Sequence, residues 1–373
     1  MRSLGIAIAM LCAAAPLSAQ TPYERIGLDT TVAMDFFGGD NVSSRPQIIV
    51  DVVGTAQLGY GFQVYVRPWF RLARPATPTG PVPAWDAQLY QASLRYERSG
   101  RVSTRVDAGY MPSPVGLGIF DVNPRQNPTI ADHASYVLPM LPFDVGAWKV
   151  PAGVTATYPI GGAVSAVSST YPLAGVVTLS TNHWDARVGV ANSAPVRVSV
   201  AGVATNPVSA ATYEGGAGVT PVTGLRFGAS FAHGTYLTLV ERQIPGDRTL
   251  TLAGLEAEYA FAHTKISGEV IHDTFTMPTG NVGATEWFVQ ATQTLTPRWS
   301  VAGRHEGTSA PVVGKNGLPF AAQPRLLANE LTAAFRVNRN LMLKASYYTR
   351  QPYGQLTWDQ QAAVQAVFQR RWW

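Results

Sequence analysis

Phe62-Gln-Val-Tyr-Val-Arg-Pro-Trp-Phe-Arg-Leu-Ala-Arg74 alternates in character along its length. Phe62, Val64, Val66, Phe70 and Leu72 fall on even positions, and Gln63, Tyr65, Arg67, Trp69 and Arg71 on odd ones. Successive side chains of a strand point to opposite faces, so the stretch predicts a strand with one oily face and one charged face. A half-buried strand of a soluble sheet would look the same. Repetition decides between the two. Alternating segments of about ten residues, separated by turns, fill most of the chain, and that is the pattern of a transmembrane β-barrel.

Working outward, Ile26 to Phe36 sets Ile26, Leu28, Val32, Met34 and Phe36 against Asp29, Thr31 and Asp35. Ile48, Val50, Val52 and Leu58 oppose Gln47, Asp51, Thr55 and Gln57, and Gly59-Tyr60-Gly61 is a tight turn. After a proline-rich loop from Pro75 to Pro83, Tyr90, Ala92, Leu94 and Tyr96 oppose Gln91, Ser93, Arg95 and Glu97. Ser99-Gly100 turns the chain into Val102, Val106, Ala108 and Tyr110, opposite Ser103, Arg105 and Asp107. The same alternation recurs to Trp372, weakly in Val150–Tyr158, Ala163–Tyr171 and Gly175–Asn182. Eighteen segments can be counted, with sixteen the nearest alternative; an even number puts both termini on one side. Tyr110, Tyr158, Trp184, Tyr259, Trp287, Trp299 and Trp372 fall near segment ends, where rings can lie in both oil and water.

Composition agrees. Only 14% of the 373 residues are charged, with 35 Gly and 27 Pro. No convincing amphipathic helix and no apolar run of about 18 residues follows the N-terminal segment, which excludes helical spanning. That segment has Arg2, an apolar stretch from Leu4 to about Ala15, and Ala19 before the expected cut: a secretory signal peptide over residues 1–19. Cys12, the only cysteine, lies inside it, and the preceding Leu11 argues against lipidation. Residues 20–373 then carry no thiol chemistry. Losing Arg2 takes the formal charge from +5 to +4. The cations are spread one or two per strand rather than clustered, so no nucleic-acid partner is expected.

Short turns alternate with longer connections. With a periplasmic N-terminus, the turns at Gly59 and Ser99 are inner, and the loops at Gly38 and Pro75 are outer. The third outer connection, residues 112–146, is the longest. Its Val115, Leu117, Ile119, Phe120, Ile130, Val137 and Leu138 are too many apolar groups for a solvated loop, so it is expected to fold inward and constrict the pore.

The polar faces supply the candidate lining. Arg67, Arg71, Arg95 and Arg105 lie there with Asp51 and Asp107, and Asp121, Arg125 and Asp132 lie on the long loop. Arg187, Arg226, Arg304, Lys344 and Arg350 share the polar side further on. Rings of Arg favour anions, whereas pairing with Asp51, Asp107, Glu97, Glu256 and Glu258 would leave the lining merely polar. Catalytic signals are absent. Gly228-Ala-Ser230-Phe-Ala fails as a nucleophile elbow. Asp132-His133 and His305-Glu306 are adjacent pairs, which point apart on a strand, and no metal-ligand spacing occurs. No cofactor is expected.

Export, alternating strands, a long third outer loop and an aromatic end together resemble bacterial outer-membrane porins, and the inward cations resemble, more narrowly, the phosphate-selective kind. The last strand alternates Ala362, Val364, Ala366, Phe368 up to Trp372, one residue short of where porins place it, with Arg370 interrupting. The resemblance implies a water-filled channel in the outer membrane, with outer-membrane lipid and small hydrophilic solutes or anions as partners and a homotrimer as the assembly. An adhesin or scaffold barrel without a channel is the other reading.

Overall fold

In a computed structural model the chain curls into a closed ring of antiparallel strands. The structure describes residues 26–40, 42–73, 76–77, 80–81, 84–112, 115–117, 123–133, 173–192, 211–235, 249–277, 280–309, 325–351 and 356–372. Its strands are β1 (Ile26–Gly39), β2 (Val42–Gly59), β3 (Phe62–Ala73), β4 (Ala76–Thr77), β5 (Gly80–Pro81), β6 (Ala84–Arg98), β7 (Ser103–Tyr110), β8 (Leu173–Ser180) and β9 (Trp184–Ala191). They continue as β10 (Thr212–Val222), β11 (Leu225–Thr235), β12 (Thr249–Phe261), β13 (Thr264–Met277), β14 (Gly280–Thr294), β15 (Trp299–Ser309), β16 (Arg325–Arg336), β17 (Leu341–Gln351) and β18 (Asp359–Arg371). The minute β4–β5 hairpin stands apart in the proline-rich loop, and the other sixteen strands form the barrel, each bonded to its sequence neighbour. Pairing of β1 with β18, from Asp29 opposite Arg371 to Gly39 opposite Gln361, leaves no free edge.

Sixteen replaces the count of eighteen. Val150–Tyr158 and Ala163–Tyr171 lie outside the described residues. β10, on the other hand, is a strand that alternation does not reveal. Both ends of the barrel chain lie at the end of the short turns, as expected for an even count. Two connections at the opposite end are also short, between β1 and β2 and between β13 and β14.

The period-2 pattern produces a molecule with its polarity turned inside out. Leu331, Leu255 and Val188 are 65%, 63% and 63% exposed on the outer surface, while Asp107, Asp51 and Glu306 are buried at 0%, 1% and 2%. A soluble domain would do the reverse. Trp184, Tyr259, Trp299 and Trp372 are exposed near the short-turn end and Tyr110 near the other, whereas Trp287 sits mid-strand, edge-on to His305. Tyr158 is outside the described residues. The Trp372 indole donates to Thr30 Oγ1 at 3.0 Å, tying the chain end to β1.

Tyr90 departs from its expected outward place. The β3–β6 register slips between Arg67 and Pro68, so Pro68 faces Leu89 and Tyr90 is the extra residue. Proline cannot donate to the ladder, and a bulge beside it absorbs the break. Tyr90 therefore turns inward and is buried, and Leu89 takes the outer position at 46% exposure.

Candidate functional site

The lumen wall is a lattice of ion pairs. Arg67 grips Asp51 with two bonds, Nε to Oδ1 at 2.8 Å and Nη2 to Oδ2 at 2.6 Å, and lies 4.4 Å from the centre of the Tyr90 ring. Arg95 and Arg105 share Asp107, at 2.7 and 2.5 Å. Arg226 takes both oxygens of Asp185, at 2.8 and 2.9 Å, and reaches Glu256 at 2.7 Å. Arg187 joins Glu256 at 3.4 Å and Ser230 at 3.1 Å. Cross-strand register brings these groups together: Arg226 stands opposite Glu258 on β12, while on its other side Gly218 stands between Gly228 and Asp185. Glycines leave the room. A Cβ on Gly218 would lie 2.5 Å from Arg226 Nη2, and one on Gly228 2.5 Å from Glu256 Oε1.

The connection after β7 enters this lumen. The Leu117 amide donates to Glu269 on β13, and Asn123 Nδ2 donates to Asp51 on β2 at 2.7 Å. Lys344 on β17, 3% exposed, gives all three of its protons to backbone carbonyls: Pro124 at 2.7 Å, Asn127 at 2.6 Å and Thr129 at 3.0 Å. Arg304 on β15 donates to Thr129 Oγ1 at 2.9 Å, to the Ala131 and Asp132 carbonyls at 2.9 and 3.1 Å, and to Glu330 at 3.1 Å. Glu330 on β16 in turn accepts from the Ile130 and Ala131 amides at 2.8 and 3.2 Å. Charged wall groups thus stand in for the water that a loop backbone would otherwise need. Arg125 reaches the short-turn end, donating to the Arg339 carbonyl at 2.9 Å. Burial and the Arg336 charge both lower its affinity for its proton.

Two cavities flank the loop. One, of about 220 Å³, is bordered by Asp35, Arg71, Pro124, Ile130, Asp132 and Arg350, towards the loop end of the barrel. The other, of about 230 Å³, is bordered by Leu117, Arg187, Arg226, Lys265, Phe288 and Gln290, towards the short turns.

The candidate residues fare unequally. Arg67, Arg95, Arg105, Asp51 and Asp107 face the interior in ion pairs, so the three arginines are not free cations. Arg71 stacks 5.1 Å from the Trp69 ring and borders the first cavity opposite Asp132. Arg125 lies on the inserted loop, and Asp121 is outside the described residues. Arg304 and Lys344, expected as part of a cationic lining, are instead buried under the loop. Their role as loop clamps needs the loop path, which no sequence pattern supplies. His133 packs on Phe288, ring centres 4.2 Å apart, with Glu306 at 3.8 Å. Among the described residues no group of His, Asp or Glu is placed to hold a metal ion.

A closed sixteen-strand barrel, polar within and apolar without, has the architecture of the outer-membrane porins. No protein-family model and no curated protein matches the chain. Solved structures do. OmpF of Salmonella typhi in complex with daunomycin superposes with a TM-score of 0.56 over 94% of this chain and 100% of that one, at 13% identity. An anion-selective porin from Comamonas acidovorans gives 0.54 over 93% and 99%, at 12% identity. OmpT, an outer-membrane protein of Vibrio cholerae, gives 0.55 over 94% and 99%, at 9%. At these identities the likeness defines the fold.

Proposed function

We propose that the protein is a non-enzymatic outer-membrane porin through which small hydrophilic solutes diffuse, with residues 1–19 as its export signal. The inside-out polarity carries this reading. An apolar wall suits lipid, every strand of the barrel finds two partners so that no strand edge is left to hydrocarbon, and a charged lumen suits water. The inserted loop is the constriction, with a vestibule on either side. Paired wall charges favour a weak ion preference, because each Arg acts together with a carboxylate. The anion-selective relative is consistent with a mild preference for anions. A trimer, as the porin resemblance implies, is the expected assembly. Purified protein in a planar bilayer should show stepwise conductance, larger when residues 123–130 are deleted. A barrel that carries no current in either form would be an adhesin or scaffold instead.

A further inference from the structure

Within the barrel the cations are matched, and at the short-turn mouth Lys265 is held by Glu258 at 2.6 Å, but a group of arginines at the same mouth is not matched. Arg298 closes the β14–β15 turn, Arg336 ends β16, and Arg339 lies in the β16–β17 turn. The Arg336 amide bonds the Arg298 carbonyl at 2.8 Å, so the two turns are neighbours. All three side chains are exposed, and among the described residues no carboxylate pairs with any of them. Arg125 arrives from the lumen side and bonds the backbone of the same turn, at the Arg339 and Asn340 carbonyls. Its proton is disfavoured by burial first and then by the Arg336 charge, so a fourth guanidinium lies in the field of Arg336. Glu97 is the one exposed carboxylate of this mouth among the described residues. It stands on the β6–β7 pair, opposite Arg105.

Four like charges so gathered repel one another, and a bound anion relieves that repulsion. We propose that this arginine cluster is an anion-collecting site at the short-turn mouth, and that it, rather than the paired arginines of the wall, sets the ion preference of the channel. The inference rests on the porin reading and adds the location and the class of ion. Anions are enriched with their charge, so polyvalent oxyanions gain more than chloride. The effect acts through water at an open mouth and therefore falls as the Debye length shortens from about 10 Å at 0.1 M salt to about 3 Å at 1 M.

The test compares the wild type with Arg298→Gln/Arg336→Gln/Arg339→Gln in planar bilayers, reading reversal potentials across potassium chloride gradients. These exposed positions, two in turns and one at the very end of β16, should leave the barrel intact, which heat-resistant gel mobility checks directly. Near 0.1 M the wild type should pass chloride over potassium by about threefold, the ratio that a mouth potential of about half a kT per charge produces. The variant should fall to about onefold, and near 1 M the two should coincide. Pyrophosphate should reduce the chloride current of the wild type at lower concentration than that of the variant. Equal ratios in the two proteins at 0.1 M, or a cation-preferring wild type, would overturn the mouth site while leaving the porin reading intact. No current from the wild type would overturn the porin reading itself.

Discussion

Replacing Lys344 with Met should free the loop without opening the barrel. The Lys344 ammonium spends all three protons on the carbonyls of Pro124, Asn127 and Thr129. Hydrogen bonds to a charged group contribute roughly 1.5–3 kcal/mol each, so three give an upper bound of about 4–9 kcal/mol. Two effects reduce it. Water in the lumen can take over the freed carbonyls, and the cost of burying the ammonium disappears with it. About 3 kcal/mol of loop docking should remain, which raises the undocked population about a hundredfold. Trypsin reads that population, because the peptide bond after Arg125 can be cut only once the segment has left the wall. When opening is fast relative to cutting, cleavage tracks the equilibrium. Lys344→Met should therefore be cut after Arg125 about a hundred times faster than the wild type, with barrel mobility on gels unchanged. Lys344→Gln, which retains two donors, should fall between. Cleavage within threefold of the wild-type rate would mean that these three contacts do not hold the loop.

Leu94, 44% exposed, should face lipid, so Leu94→Lys should cost roughly 2–4 kcal/mol in urea unfolding from lipid vesicles, and the inward Thr55→Lys far less; equal losses would reverse the two faces. Gly109 has a φ of 140°, and a Cβ there would collide with the Ala92 carbonyl of β6, so Gly109→Ala should cost about 1–3 kcal/mol and lower the yield of folded barrel. A wild-type yield would show that the β6–β7 pairing tolerates a side chain there. A cysteine at Gly100 should be shielded in intact cells from an impermeant thiol reagent that reaches one at Gly80; the opposite pattern would put the short turns outside.

The fold is legible because two solvents write on alternate residues. Lipid selects Phe70, Leu94 and Leu331, the lumen selects Asp51, Asp107 and Glu330, and the strand period of two records both. Legibility fails where one side stops writing. The outward face of β10 carries Tyr213, Gly215, Ala217 and Val219, and its inward face ends in Gly216 and Gly218. Those inward glycines are there because Arg187 and Arg226 lie over them: a Cβ on Gly216 would come within 3.0 Å of Arg187 Nε. The strand looks shapeless in sequence because its neighbours' side chains occupy its inner face. Tyr90 fails for a different reason, since a single bulge beside Pro68 shifts the parity and no residue preference marks the slip.

The inner charges divide along the same line between what is local and what is not. Placing Arg67, Arg95 and Arg226 on the inner wall needs only alternation. Knowing that they are neutralised needs the register between strands, which sets Asp107 opposite Arg95 and places Gly218, with no side chain, between Asp185 and Gly228 so that Arg226 can reach across it. Arg304 and Lys344 lie further still from sequence, because their partners are backbone carbonyls of a loop about two hundred residues earlier in the chain. A count of inward arginines therefore overstates the field inside the barrel. Net charge survives where register supplies no partner, and among the described residues that place is the turns. Arg298 and Arg339 lie beyond the last paired rungs and Arg336 on the last one, opposite Met342, so the register offers none of them a carboxylate. If the proposed mouth site holds, the ion preference of this barrel is set where its ladder ends.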